Sequence, residues 1–309
     1  MRFAIQSVAV LTVLCSLPGA SPLRGAESIA RDHSRFRVAV STSTVDGVND
    51  NDARAAIKMW GDTFMQMAGL EGINDQTVLS GPDQLLQEVR GGLVDAFSIT
   101  APEYPPMAPY VDHALVIGDE VEMGQGDEYF LLVHQESGIQ SIADLRGRNM
   151  IVQKGAKTCL ARIWLETLAS GSGLGTADEL LGRITAETKP AMVVLPVFFR
   201  RADAGVVTQA EFAAMCELNP QLGRKLRVLA VSPKVIHSFL VFHRDCPPLF
   251  KARLKTAMLG IHESASGRQI LTLWQCRRLV AADTSVLRGT LELMASYDRI
   301  RARKTAAKK

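Results

Sequence analysis

The order of elements between residues 36 and 99 constrains the fold most. Phe36 to Ser41 alternates apolar and polar residues and predicts a strand. A polar loop follows, and then a helix over about 52–68, with Ala56, Met59, Trp60, Phe64 and Met67 at helical spacing. Thr77 to Ser80 predicts a second strand. Pro82 opens a helix carrying Leu85, Leu86 and Val89, which Gly91-Gly92 closes. Val94 to Ile99 predicts a third strand. Strands separated by helices cannot pair as hairpins, so this order implies a parallel sheet covered by helices. Such sheets bind ligands beyond the carboxyl ends of their strands.

Two loops occupy that position. Ser41, Thr42, Ser43 and Thr44 present four successive hydroxyls after the first strand. Thr100 and Tyr104 follow the third. A second α/β unit brings another such loop. Met150 to Val152 predicts a strand, and Leu160, Ile163, Trp164 and Leu168 predict a helix. Between them stand Lys154, Gly155, Lys157 and Thr158. Unpaired amides and the positive end of the macrodipole make a helix start suitable for an anion, although Thr158 there also suits an ordinary cap. A nucleotide-binding P-loop is excluded, because Ala156 separates Gly155 from Lys157.

The alternation continues with strands at 129–134, 184–187, 203–208, 226–231 and 237–243, and with helices at 190–201 and 209–217. A short helical turn is expected over 141–147. Pro247-Pro248 start a further helix, and the remainder, to about Arg303, reads as helical.

Charge and leader narrow the function. Arg2, an apolar run from Phe3 to Leu17, and then Pro18-Gly19-Ala20 have the form of a secretory signal over 1–26. That run is shorter than the roughly 20 apolar residues of a membrane span, so an exported, periplasmic and not membrane-spanning mature protein is expected. Residues 27–298 hold 27 basic against 32 acidic residues, whereas 299–309 hold six bases and no acid. An acidic body argues against nucleic-acid binding, and the tail is expected to be a basic, disordered end. Cys159, Cys216, Cys246 and Cys276 have no zinc-site spacing, so no metal or other cofactor is expected. Disulfides and buried free thiols both remain open readings. Glu120, Glu122, Asp127 and Glu128 read as a solvated loop or a weak cation site. His237, His243 and the three tryptophans read as packing residues. With neither a Gly-x-Ser-x-Gly elbow nor a His-x-x-x-His pair, no enzyme is expected.

Four pieces in order carry a family resemblance. They are Leu93-Val-Asp-Ala-Phe-Ser, Ser137-Gly-Ile-Gln-Ser-Ile-Ala-Asp-Leu-Arg-Gly-Arg, Ala202-Asp-Ala-Gly-Val-Val, and Leu226-Arg-Val-Leu-Ala-Val-Ser-Pro with Asp245-Cys-Pro-Pro-Leu. The chain resembles the phosphate/phosphite/phosphonate-binding proteins of ABC importers, a branch of the type II periplasmic binding proteins. The resemblance implies an α/β fold of two lobes, each a mixed sheet flanked by helices, joined by two hinge strands. Residues 36–98 with 209–298 would form lobe 1, and 99–208 lobe 2. It further implies a small anionic ligand delivered to an ABC permease; a periplasmic sensor is the alternative partner. Where the family carries a Ser-Thr-Ser-Gly-like run, this chain has Gly155-Ala-Lys-Thr-Cys, so only Thr158 keeps a hydroxyl. Thr208 stands where the family often has a ligand-facing Ser or Asp. Strand-end position and the resemblance together give the expected ligand set: Ser41, Thr42, Ser43, Thr44, Thr100, Tyr104, Lys154, Lys157, Thr158 and Thr208.

Overall fold

The computed structural model of the chain describes residues 36–45, 49–70, 74–274 and 276–307. The expected secretory signal over 1–26 lies outside them. In chain order the first half runs β1 (Phe36–Ser41), α1 (Asp50–Met67), β2 (Asn74–Ser80), α2 (Pro82–Arg90), β3 (Ala96–Thr100), α3 (Tyr104–Met107), β4 (Val111–Asp119), α4 (Glu120–Gln125), β5 (Tyr129–His134), β6 (Asn149–Gln153) and α5 (Ala161–Gly171). The second half runs α6 (Ala177–Leu180), β7 (Arg183–Glu187), α7 (Pro190–Phe198), β8 (Ala204–Thr208), α8 (Gln209–Leu218), α9 (Pro220–Lys225), β9 (Leu226–Val231), β10 (Ser238–His243), α10 (Pro248–Gly260), α11 (Ala265–Leu273), β11 (Leu279–Ala282) and α12 (Arg288–Ala307).

These strands form two mixed sheets. The first has the order β11-β4-β10-β3-β1-β2 and the second β7-β6-β8-β5-β9. In the first, β1 lies parallel to β2 and β3, while β10 runs antiparallel to β3 and β4. In the second, β6 is parallel to β7 and β8, while β5 is antiparallel to β8 and β9. Each lobe therefore pairs a parallel βαβ core with returning antiparallel strands. The core strands are apolar on both faces, as helix-covered sheets require: β8 is buried along its whole length.

The chain passes between sheets at 120–128 and 232–237, not at 98/99 and 208/209 as expected. The first sheet gains β4 before the chain leaves it, and β9 pairs with β5 before the chain returns. At the crossings Asp127 and Val235 exchange two backbone hydrogen bonds of 2.9 Å. His237 is packed there, with its backbone N–H donating to Glu122 Oε1 and its Nδ1 3.1 Å from the same oxygen. The acidic loop is thus partly turned inward. Asp119 caps α4 by accepting from the backbone of Val121 and Glu122, 3.0 Å each.

The C-terminal end also differs from expectation. Residues 279–282 form a strand, where a helical continuation was expected. The basic tail is helical as far as Ala307, since Leu291, Leu293 and Met294 make an apolar face that joins the main core. Thr290 Oγ1 accepts from Ile236 N at the crossing, at 2.8 Å. Further along, α12 packs on α5 and Lys304 Nζ lies 2.5 Å from Glu166 Oε1. Ordering twenty residues needs such packing, because helical propensity alone leaves a single helix marginal. No helix among the described residues is long and apolar enough to cross a membrane.

Candidate functional site

Three strands end in one-turn 3-10 helices that converge: Thr42–Val45 after β1, Ala101–Glu103 after β3 and Ala156–Thr158 after β6. They border an open cleft of about 800 Å3 whose wall includes Thr42, Ser43, Thr100, Glu103, Gln153, Lys154, Thr158, Arg162, Asp178 and Thr185. The cleft takes residues from both lobes.

Five of the ten sequence-selected residues lie on this wall: Thr42, Ser43, Thr100, Lys154 and Thr158. The other five do not. Ser41 is 0% exposed and its hydroxyl donates to Glu103 Oε1, while its Oγ accepts from Ser43 N at 3.2 Å. Thr44 Oγ1 donates to Ser41 O at 2.7 Å, closing the turn on itself. Tyr104 is 4% exposed, its hydroxyl 3.1 Å from His113 Nδ1 and its ring edge-on to Phe239. Burial pushes its phenol above the ordinary value, against a hydrogen bond to Thr284. Lys157 belongs to the 156–158 turn but stands off the wall. Thr208 is 0% exposed and caps α8, accepting from Glu211 N at 3.2 Å. It stands at a strand end with no room for a ligand, because the helix start has taken its hydroxyl.

Glu103 was not selected, yet it organises the first-lobe side. Thr100 N and Thr100 Oγ1 each donate to its Oε2 at 2.7 Å, and Ser41 Oγ donates to its Oε1. Thr100-Ala-Pro-Glu103 is a capping box, and that pattern was legible in the sequence. Its consequence is chemical: the hydroxyl protons of Ser41 and Thr100 point into a carboxylate and are not offered to an anion.

On the second lobe, Gly155 holds φ at +153°, a backbone that favours glycine. The turn after it uses its own amides, with Thr158 N donating to Gly155 O at 3.0 Å and Cys159 N to Ala156 O at 3.3 Å. Leu160 N donates to the buried Tyr129 hydroxyl at 3.3 Å. The helix start therefore offers fewer open amides than its sequence implied. Arg162 pairs with Asp178 at 2.5 Å on the rim, both well exposed. Gln153, 6% exposed, donates from Nε2 to Glu211 Oε1 at 2.9 Å, while its Oε1 has no hydrogen-bond partner. A buried acceptor left unmatched costs about 1–3 kcal/mol. Cys159 also borders the cleft. Burial, helped by the Glu122 carboxylate, pushes its thiol up to about 12. Such a thiol is not a nucleophile at neutral pH. All four described cysteines are free thiols. Among the described residues no cluster of three or more His, Cys, Asp or Glu side chains could hold a metal ion.

Two mixed α/β lobes joined by paired crossings, with a cleft lined by strand-end turns from both, define a type II periplasmic binding protein fold. Solved structures with this fold align over most of the chain. A Xanthomonas citri protein bound to chloride is 17% identical with a TM-score of 0.62, covering 87% of this chain and 99% of that one. PhnD1 from Prochlorococcus marinus, in complex with methylphosphonate, is 12% identical with a TM-score of 0.61, covering 86% and 98%. A binding-protein component of a Pseudomonas aeruginosa ABC phosphonate transporter is 14% identical with a TM-score of 0.57, covering 86% and 87%. Among curated proteins none matches the chain in sequence. The family described as "ABC transporter, phosphonate, periplasmic substrate-binding protein" matches residues 55–287, and the chain belongs to it. That family is one of transport proteins, not an enzyme class.

Proposed function

We propose that this chain is a periplasmic solute receptor that closes its two lobes on a small oxyanion of the phosphonate or phosphate class and hands it to an ABC permease. The observation that carries this reading is the convergence of Thr42 and Ser43 from one lobe with Lys154 and Thr158 from the other on a single cleft. An ammonium is a strong point-charge partner for an oxyanion, and hydroxyls complete its hydrogen bonds. A ligand touching both walls stabilises the closed arrangement over the open one, and only such differential contact shifts that balance. The closed surface is then what the permease meets. Five residues from the sequence-selected set are assigned direct contact: Thr42, Ser43, Thr100, Lys154 and Thr158. Thr100, having spent its proton on Glu103, can only accept, so its contact is with the O–H of a singly protonated oxyanion and not with a bare oxygen.

The test is a thermal-shift and calorimetric screen of residues 27–309 with phosphate, phosphite, alkylphosphonates, sulfonates, dicarboxylates and a neutral sugar. A ligand of the folded state at 100 times its dissociation constant adds about 2.7 kcal/mol. Selective stabilisation by a phosphorus oxyanion is the expected result. Stabilisation by the sugar alone, or by nothing in the panel, refutes the reading.

A further inference from the structure

Gln153 closes β6 on the cleft wall, one residue before Lys154. Its amide has a defined orientation. Glu211 Oε1 sits 2.9 Å from one end of it, and a carboxylate only accepts, so that end must be the NH2 group. Glu211 is itself held by Thr208, whose hydroxyl donates to Glu211 Oε2 at 3.1 Å and accepts from Glu211 N at 3.2 Å. Thr208 is fully buried, so this chain of contacts has no freedom to reverse. Its outcome is an unpartnered carbonyl oxygen, Gln153 Oε1, buried at the cleft beside the residues that would hold an oxyanion. Across the cleft Glu103 is an acceptor too.

An oxyanion without a proton brings only lone pairs to these acceptors. A tetrahedral oxyacid that keeps one proton brings an O–H, the donor that Gln153 Oε1 lacks. Phosphoryl groups retain a proton below a second pKa of about 6 and partly above it, whereas sulfonates carry none near neutrality. Resting on the receptor reading above, we infer that Gln153 is a specificity-determining residue: its Oε1 accepts the P–OH of a hydrogen phosphonate or hydrogen phosphate and discriminates against sulfonates. Thr208 and Glu211 are the positioning residues behind it.

The experiment is calorimetric titration of the full chain with methylphosphonate, methanesulfonate and the methyl monoester of methylphosphonate, an anion of the same head without a P–OH. Methylphosphonate is expected to bind about tenfold tighter than either proton-free anion, the worth of one hydrogen bond to a buried acceptor. Gln153→Met should remove that preference by weakening methylphosphonate alone. Should that variant fail to melt cooperatively, Glu211→Gln decides instead: it frees the amide to turn and should narrow the preference in the same direction. Equal wild-type binding of all three, or a preference that survives these substitutions, overturns the inference while leaving the receptor reading in place. Failure of the folded wild-type chain to bind any of the three or inorganic phosphate overturns both.

Discussion

Replacing Glu103 with Gln isolates what its carboxylate contributes to the first lobe. The shape is kept and no cavity opens, so the change falls on three hydrogen bonds: from Ser41 Oγ, Thr100 N and Thr100 Oγ1. Hydrogen bonds to a charged acceptor are worth roughly 1.5–3 kcal/mol, against roughly 0.5–1.5 for neutral pairs. Gln can face its carbonyl toward Thr100 and keep two bonds at neutral strength. Its NH2 then meets Ser41, whose hydroxyl must turn and abandon its donation in a site that is 0% exposed. The expected loss is about 2–3 kcal/mol, which lowers the melting midpoint by roughly 3–5 °C for a chain of this size. The same variant should bind oxyanions more tightly, since it removes a negative charge from the cleft wall. Scanning calorimetry with and without methylphosphonate reads both effects. A midpoint within about 1 °C of wild type, or weaker anion binding, refutes the assignment of Glu103 as the group that claims these hydroxyl protons.

Other expected outcomes follow from placement and burial. Lys154→Ala should weaken an oxyanion ligand at least about tenfold, the cost of one charge-assisted hydrogen bond, while Lys157→Ala changes it by less than about twofold, as for a charge screened by solvent; comparable losses in calorimetry would contradict the cleft geometry. Iodoacetamide at pH 8 should label Cys159 and Cys276 far more slowly than Cys216 in the folded protein, because burial, with nearby carboxylates, pushes both thiols up to about 12; equal rates by peptide mass mapping would count against that burial. Burial pushes the Asp112 carboxyl up, but Lys251, 2.5 Å away, the Ala114 backbone N–H and the nearby His113 together hold it below the usual carboxylate range. Its folded value being depressed, the stability it adds is fully present above the unfolded value of about 3.9 and is lost as pH falls through the folded one. Asp112→Asn should therefore lose less stability than wild type between pH 5 and 3 in urea titrations, and an equal loss would refute the pairing.

The parallel core of each lobe was readable because a βαβ unit leaves two periodicities in the sequence, helical spacing around Trp60 and a short apolar run at Val94 to Ile99. β4 and β11 were not readable. The apolar run Ala114 to Ile117 carries no helical periodicity after it to mark a βαβ unit, and β11 is four residues whose partner lies far away in sequence. The lobe boundaries failed for the same reason, since membership in a sheet is fixed by returning antiparallel strands. At the site, strand-end position found the three turns but not the traffic of protons among them. Ser41, Thr44 and Thr208 have the right chemistry in the right place, yet each hydroxyl is spent on a neighbour. Gln153 carried no signal of its own, for only the Glu211 carboxylate beside it gives its amide a direction.

The last helix has a bearing on the order in which the molecule can be completed. Lys304 reaches Glu166 across 138 positions of sequence, and the first sheet cannot close until β10 and β11 have been made. The second sheet, by contrast, is contiguous from Tyr129 to Val231. A ribosome delivering this chain from its N-terminus therefore releases a middle segment able to form its sheet, with an apolar flank of α5 still waiting for its cover. That cover is supplied by the final twenty residues synthesised among those described. Contacts of such long range make folding slow, and they leave the nascent chain adhesive to holding factors until α12 emerges.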